Sequence, residues 1–378
     1  MIPVNEPLLD GNELEYVTDC IKSGWISSVG DYITEFEQSF AEYCSRSYGV
    51  AVSNGTTALQ IACRCLDLKP GNEVIMPTFT IISCAQAVVY EGATPVLVDA
   101  DPDTWTMDVD QIAEKITAHT RAIMPVHIYG HPTDMKPVLD LAEDHNLAII
   151  EDAAEAHGAE YNMGHQVGGD AWKRCGSFGT LSCFSFYANK LITTGEGGMV
   201  LTDDKMLAER AAALRNLCFL PDRRFYHESL GFNFRMTNLQ AALGVAQLER
   251  IDAIVAKKRS MGAYYTKKLR QINGVQIPVE KSWAKNVYWM YGLVLSEETG
   301  LDAAKAAVLL REKGVDTRPF FLGMHEQPVF HEMGLFKGEQ YPVAERIARQ
   351  GLYLPSGLTL TEEQMDSVST AVKEVVQS

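Results

Sequence analysis

A chain of 378 residues is long enough to bury a large core, and two domains of unequal size are expected. Its 46% hydrophobic and 22% charged residues are those of a globular protein in water, and a net charge of −16 disfavours nucleic acid and anionic membranes as partners. A small phosphorylated ligand in a locally positive pocket remains compatible with that balance. The opening residues, MIPVNEPLLDG, have neither a basic stretch nor an apolar core of the signal-peptide kind, and no run suits a membrane span, so a cytoplasmic location is expected. The eight cysteines, at 20, 44, 63, 65, 84, 175, 183 and 218, form no CxxC pair and no metal-ligand spacing. They are expected to be reduced thiols, and no metal site is expected.

Residues 1 to 35 read as a polar lead-in containing Ser23-Gly24-Trp25-Ile26-Ser27-Ser28, an exposed loop with an unusual tryptophan. From Tyr48 apolar strand-like runs alternate with helical patterns. Strands are predicted at 49–52, 73–76, 94–99, 121–126 and 147–152, and helices at 56–66, through the 80s, near 108–116 and at 134–145. This alternation predicts βαβ units and a mostly parallel sheet covered by helices on both faces. Ligands of such sheets bind outside the carboxyl ends of the strands, so the residues just after each strand carry the chemistry.

Three of those junctions are loaded. After the first strand, Ser53-Asn54-Gly55-Thr56-Thr57 opens a helix, whose free amides and positive dipole end suit a phosphate; no GxGxxG or GK[ST] occurs there. After LAII comes Glu151-Asp152-Ala153-Ala154-Glu155, and an acid at a buried strand end needs a positive partner such as a protonated heterocyclic nitrogen. Residues 161 to 180 are glycine-rich and read as a surface excursion. The aromatic strand CFSFY then ends in Ala188-Asn189-Lys190, ahead of a turn with Gly195, Gly197 and Gly198. A lysine amine desolvated there loses its proton more readily and can attack an aldehyde. Ser185 lies five residues before it, so a turn near Asn189 is required for both to face one ligand.

Beyond Gly198 a strand at 199–202, a helix at 205–216, the loop 221–238 and a long helical pattern over 239–269 follow. The domain boundary is expected near residue 250, giving a large domain over 1–250 and a smaller C-terminal one over 251–378. Strand-like runs such as VYWMYGLVL and helices near 302–313, 341–350 and from Thr361 make the small domain α+β. Lysine after a strand, aspartate at an earlier strand end, a nearby serine and a glycine-turn helix start are what pyridoxal phosphate needs: an aldehyde trap, a pyridinium partner and a phosphate cup.

Over nearly its whole length the chain also resembles the DegT-type sugar aminotransferases of the fold-type I pyridoxal-phosphate class. The matching segments are SGWISS (23–28), VSNGTTAL (52–59), EVIMPTFT (73–80), HIYGH (127–131), IEDAAEAHGA (150–159), FSFYANKLITTGEGGMV (184–200) and FRMTNLQAALGVAQLER (234–250). The resemblance implies Lys190 as the Schiff-base lysine and Asp152 as the partner of the pyridine nitrogen. It further implies a phosphate held by Ser185 and the amides of Gly55 and Thr56, and Glu155 near the cofactor hydroxyl. Asn238 would reach the phosphate of a neighbouring subunit, which makes a homodimer with a shared active site part of the expectation. Trp25, Tyr226, His227, Arg318, Phe320 and His325 are implied for the nucleotide-sugar pocket.

The implied reaction moves the amino group of L-glutamate to a nucleotide-linked 4-keto-6-deoxy sugar. The ITTGEGGMV turn, Tyr226-His227 and Arg318-Pro319-Phe320-Phe321 point first to a GDP-linked 4-keto-6-deoxymannose, with other UDP- or dTDP-linked keto sugars as alternatives. Relatives with histidine in place of the lysine are sugar dehydratases, and some members have been described as regulators; the complete lysine-aspartate-serine set argues for amino transfer. Two departures stand out: Ile81 occupies the place of a stacking aromatic, with Phe79 the nearest aromatic, and Gly168 to Gly176 reads as longer than in relatives. The glycines after Lys190, Gly197 above all, are expected to let a bulky sugar nucleotide approach the backbone.

Overall fold

The computed structural model describes residues 1–220, 222–223 and 225–377. Apolar runs bounded by turn residues form β1 (Tyr48–Val52), β2 (Glu73–Pro77), β3 (Thr94–Val98), β4 (Thr120–Ile123) and β5 (Ala148–Asp152). Two short strands, β6 (Glu160–Asn162) and β7 (Trp172–Arg174), precede β8 (Leu181–Ser185) and β9 (Gly198–Thr202). The central sheet has seven strands in the order β1-β9-β8-β5-β4-β2-β3. Neighbours from β8 to β3 pair parallel, whereas β9 runs antiparallel to both β8 and β1.

Alternation along the strands explains why this sheet lies in the middle. Val74, Met76, Leu97 and Ile150 enter one apolar cluster. Ile75, Val98, Ile123 and Ile149 enter another on the opposite face. A strand apolar at every position can only be satisfied by burial on both faces, each such side chain contributing about 1.5–3 kcal/mol.

The helices start where the sequence supplies caps. Asn54 accepts the Thr57 N–H at 2.9 Å while Thr57 Oγ1 accepts the Asn54 N–H at 3.2 Å, a capping box that starts the helix Gly55–Cys65. Thr237 and Gln240 do the same for Asn238–Leu248. The polar lead-in forms the helix Glu13–Ser23 and runs into a second, Asp31–Tyr43, with the exposed loop 24–30 between them. Phe36 and Phe40, one turn apart and fully buried, dock the second of these on Phe184 and Phe186 at ring separations of 4.8 to 5.0 Å. Polar residues around those two phenylalanines masked the pattern.

The long helical stretch divides into Asn238–Leu248 and Ile251–Leu269. The break falls at Arg250, whose guanidinium turns to Asp10 and Glu13. Five further strands follow: β10 (Val275–Gln276), β11 (Ala284–Lys285), β12 (Tyr291–Leu295), β13 (Arg318–Pro319) and β14 (Gly351–Leu354). A four-stranded sheet runs β10-β12-β14-β13, and β11 joins β6 and β7 in a third sheet. Residues 160–174 are thus tied to the C-terminal part of the chain. Tyr161 is fully buried 5.3 Å from the Trp283 ring, so this region is more than a surface excursion. All eight cysteines are buried and free, and among the described residues no helix is long and apolar enough to cross a membrane.

Ile251 and Ile254 pack in the large core, while Met261, Tyr265 and Leu269 of the same helix pack with β12, β14 and the helix Glu362–Val376. Between those groups sits Lys258, buried, with its ammonium bonded to the carbonyls of Trp289 at 3.0 Å and of Ser356. Burial pushes its pKa down to about 7. Because the unfolded chain binds this proton up to about pH 10.4, the group favours folding increasingly from pH 7 to 10. Lys258→Met should therefore remove that slope: the wild-type-minus-variant unfolding free energy, from denaturant titrations, should rise by as much as about 1.4 kcal/mol per pH unit over that window. A pH-independent difference would contradict a buried, titrating lysine.

Candidate active site

A cleft of about 440 Å³ opens at the carboxyl ends of β1, β2, β5 and β8, lined among others by Gly55, Thr56, Ile81, Asp152, Glu155, Ser185 and Lys190. These four chain segments, distant in sequence, converge because parallel strands all end on the same side.

The floor is built at the first helix start. Asn54 caps Thr57, so Gly55 and Thr56, the first two helical residues, have no carbonyl one turn back to bond. Their amides and the helix dipole face the cleft's polar end. Gly55 is required here: a Cβ on it would stand 2.7 Å from Ser185 Cβ, filling the cradle between the β1 and β8 ends. Ser83 Oγ and Thr56 Oγ1, 2.8 Å apart, extend the hydroxyl rim.

Lys190 reaches the cleft through the turn that Ser185 requires. The Lys190 N–H bonds the Tyr187 carbonyl at 2.9 Å, reversing the chain just after β8. The preceding Asn189 carbonyl accepts from Trp289 Nε1 at 2.7 Å and from Asn5 Nδ2 at 2.6 Å, which anchors the turn from two directions. The ammonium lies 3.7 Å above the Trp289 ring and 3.6 Å from Glu155 Oε1. Burial lowers its pKa, and the charges of Glu155 and Asp152 oppose that fall.

Asp152 ends β5 and is 2% exposed. Its Oδ1 accepts the Ala154 N–H at 3.0 Å and its Oδ2 accepts the Cys84 S–H at 3.0 Å. Glu155 Oε2 accepts the Tyr129 N–H at 2.7 Å, delivered by a backbone held at φ 54°. Burial pushes the Glu155 carboxyl up to about 7, with Lys190 and the Tyr129 N–H pulling the other way. Below them His157 packs 5.2 Å from Phe184 and 5.5 Å from Phe186, kept neutral by burial with its pKa pushed down to about 3.

Strand alternation sends the neighbouring Glu151 to the opposite face. There it accepts from Phe178 N and Gly179 N at 2.9 Å, Ser182 Oγ at 2.8 Å and His127 Nε2 at 3.0 Å. Burial alone would raise its pKa, but these donors hold it below the ordinary carboxylate value. Glu151 is a packing device, and Asp152 is the acid the cleft sees.

Six of the sequence-predicted residues thus meet in one cleft: Lys190, Asp152, Gly55, Thr56, Glu155 and Ser185. Others lie elsewhere. Phe320 is core, 4.7 Å from Tyr129 and 5.2 Å from Trp105, and it is the next residue, Phe321, that lines the cleft. His325 is buried between Thr78 Oγ1 at 2.7 Å and Glu345 at 3.3 Å, bonding the loop after β2 to the C-terminal part. Arg318 sits exposed beside Asp316 at 2.8 Å, paired in register with the cleft residue Tyr353 but outside the lining.

Trp25 is 56% exposed, and Asn238 beneath it spends its amide on the Trp25 carbonyl at 2.8 Å and on Cys20. Tyr226 and His227 are exposed on a loop bonded to Leu217 and Arg223, away from this chain's cleft. Pro221 and Arg224 of that loop lie outside the described residues. Ile81 does line the cleft, 39% exposed, whereas Phe79 is buried 5.8 Å from Phe320 and takes no place beside it. Gly197 is enclosed: a Cβ would meet Thr194 Oγ1 at 2.1 Å and Met236 at 2.7 Å, so packing of the turn, and not access for a ligand, accounts for that glycine.

The residues missed are Thr80, Cys84, Trp289, Phe321 and Tyr353. Thr80 and Cys84 carry a weak signal, flanking the start of the helix after β2. Trp289 and Tyr353 come from the distant C-terminal third, where no local pattern points at the cleft.

The model of the DegT/DnrJ/EryC1/StrS aminotransferase family matches residues 7–373. The chain is 44% identical over 378 residues to GDP-perosamine synthase of Caulobacter vibrioides, covering 99% of this chain and 98% of the relative. It is 42% identical over 373 residues to GDP-perosamine synthase of Escherichia coli O157:H7, again covering 99% and 98%. The solved structure of S. venezuelae DesV, in complex with a ketimine intermediate, superposes with a TM-score of 0.88 at 34% identity over 97% of this chain and 95% of that one.

Since the Glu155 charge is the chief support for a protonated Lys190, Glu155→Gln should raise the fraction of free amine. In the protein freed of ligands, reductive methylation of Lys190 at pH 7.5, followed by mass spectrometry, should quicken by up to about tenfold. An unchanged or slower rate would refute the coupling of these two groups.

Proposed function

The chain belongs to the DegT/DnrJ/EryC1/StrS aminotransferase family, and on that premise we propose that it is a pyridoxal-phosphate enzyme that aminates a nucleotide-linked 4-keto-6-deoxy sugar with L-glutamate as donor. GDP-4-keto-6-deoxymannose is the first substrate and GDP-perosamine the product, in keeping with the relatives of that activity matched over 98% of their length. The observation that carries the cofactor reading is the lining of one cleft by a desolvated lysine amine, a buried carboxylate and a pair of free helix-start amides.

The residues fit the group. Gly55 and Thr56 N–H and the Ser185 hydroxyl would take the phosphate, in the cradle that a Cβ on Gly55 would fill. Asp152, its carboxylate held on both oxygens, would face the ring nitrogen and keep it protonated. Glu155 would face the ring hydroxyl, and Ile81 would pack on the ring with aliphatic surface where an aromatic could stack. Lys190 would hold the cofactor covalently. When bound, pyridoxal phosphate supplies the reactive carbonyl carbon and an electron-accepting ring through which an amino group passes from donor to acceptor.

The protein's own part is proton management. The Lys190 Nζ would take up and return a proton as general base and acid, a task that needs an amine able to lose its proton near neutral pH. Burial prepares it for that, and the Trp289 face and Glu155 receive the ammonium when the proton is on nitrogen. Tyr187, Phe321 and Tyr353 line the cleft around this exchange.

A homodimer with a shared site belongs to the same proposal. Leu14, Ile21, Trp25, Ile26 and Val29 leave an exposed apolar strip on and after the first helix, the kind of surface a second copy covers. Asn238 Oδ1, buried without a hydrogen-bond partner among the described residues, lies directly beneath that strip. Tyr226 and His227, exposed and outside the lining of this chain's cleft, would then serve the cleft of the second copy.

The test uses protein loaded with pyridoxal phosphate, L-glutamate and a panel of GDP-, UDP- and dTDP-linked 4-keto-6-deoxy sugars, with 2-oxoglutarate as the readout. Sugar-dependent 2-oxoglutarate should form fastest with the GDP-linked 4-keto sugar; ammonia release in place of 2-oxoglutarate would favour a dehydratase. Lys190→Ala should abolish turnover and borohydride labelling at residue 190, and Asp152→Asn should lower kcat by roughly 10² or more. Full activity of the lysine variant would sink the assignment.

A further inference from the structure

Cys84 has no part in the scheme above, yet its thiol is the nearest side-chain donor to the acid of the site. It stands in the first turn of the helix Ile82–Tyr90, its N–H bonded to the Ile81 carbonyl at 3.2 Å. That turn also delivers Ile81 to the cleft. The thiol is fully buried, 3.0 Å from Asp152 Oδ2 and 3.3 Å from Thr80 Oγ1. Burial first, and then the Asp152 charge, push its pKa well above the ordinary thiol value, so the sulfur keeps its proton and remains a donor.

The two oxygens of Asp152 are served differently. Oδ1 takes a backbone N–H from Ala154, two residues on, which local chain geometry supplies. Oδ2 takes the S–H from another segment, 68 residues away in sequence. A carboxylate held at one oxygen can still swing about its Cβ–Cγ bond; held at both, its plane is fixed. A thiol is a weak donor, so it orients the anion while leaving it basic, which suits an acid that must keep a ring nitrogen protonated.

We propose that Cys84 is a positioning residue for Asp152, its S–H fixing the plane of the carboxylate that faces the cofactor ring, with Thr80 Oγ1 donating to the sulfur. The proposal rests on the pyridoxal-phosphate reading of the cleft. It assigns no chemistry to the thiol: no bond to sulfur forms or breaks. The same contact accounts for a polar side chain at this buried spot, since an alanine would leave Oδ2 without its donor.

Three proteins test it: Cys84→Ala, Cys84→Ser and Asp152→Asn, each against wild type. The first readout needs no cofactor. The infrared difference between wild type and Cys84→Ala isolates the Cys84 S–H stretch, which should lie at lower wavenumber in wild type than in Asp152→Asn, where the charged acceptor is gone. The second is the dissociation constant of pyridoxal phosphate, from absorbance titration. It should rise up to about tenfold in Cys84→Ala, and Cys84→Ser, which restores a donor, should return it to within about twofold of wild type. The third is the absorbance of the bound cofactor against pH, whose midpoint should move in the alanine variant and return with serine.

An S–H band unmoved by Asp152→Asn, or alanine and serine variants alike in both cofactor readouts, would overturn the positioning role. If Cys84→Ala does not fold, the band position in wild type against Asp152→Asn and the cofactor titration of Cys84→Ser decide the matter. Wild-type protein that binds no pyridoxal phosphate while its S–H band shifts as expected would refute the cofactor reading and leave the hydrogen bond standing.

Discussion

A lysine amine buried beside two carboxylates, at the carboxyl ends of parallel strands, is the constraint on which the rest of the structure depends. Taking an ammonium out of water is costly unless opposite charge and hydrogen bonds receive it. Here Glu155 lies 3.6 Å from the Lys190 nitrogen and the Trp289 ring 3.7 Å from it. That enclosure is partial: burial still lowers the lysine pKa and raises that of Glu155. Burial thus weakens both charges of the pair while their attraction opposes that loss.

Holding that arrangement requires rigid surroundings. Tyr129 accepts a left-handed backbone, at φ 54°, to aim its N–H at Glu155, and such strain persists only where packing over-determines it. Its ring is clamped by Phe320 at 4.7 Å, Phe321 at 5.7 Å and Trp289 at 6.2 Å. Trp289 in turn is fastened by Lys258 through its carbonyl and by Asn189 through its indole N–H. The aromatic cluster thus connects the C-terminal part to the turn that carries Lys190, so the two halves of the chain meet where the cleft needs them to.

Paired acids along β5 make the division of labour visible. Glu151 and Asp152 are adjacent, both buried, and pleating sends them to opposite faces. Glu151 is saturated with donors from residues 176 to 182 and from His127, which pins the segment leading into β8. Asp152 keeps one side toward the cleft. An exchange of the two roles by a one-residue register slip would bury the wrong acid, which is why the strong apolar pattern of β5 matters to the site as much as to the core.

Alternation of strands and helices, the helix start at Gly55, and the positions just after β1, β5 and β8 were legible because they follow from local rules of period, turn chemistry and chain direction. Those rules suffice to bring Gly55, Thr56, Asp152, Glu155, Ser185 and Lys190 to one edge of one sheet. They fail where long-range packing decides. Phe320 and Phe321 are equivalent in sequence, yet β13 turns the first into the core and the second toward the cleft. His325 reads as a ligand-binding residue but closes a buried hydrogen-bond chain, and the helix Asp31–Tyr43 owes its place to Phe36 and Phe40 meeting Phe184 and Phe186. Sequence by itself determined which chemical groups stand at the strand ends, because a strand's end and its side-chain alternation are local properties. Tertiary structure alone decided which distant side chains enclose them, among them Trp289 under Lys190 and Cys84 against Asp152, because those contacts depend on how separately folded segments pack.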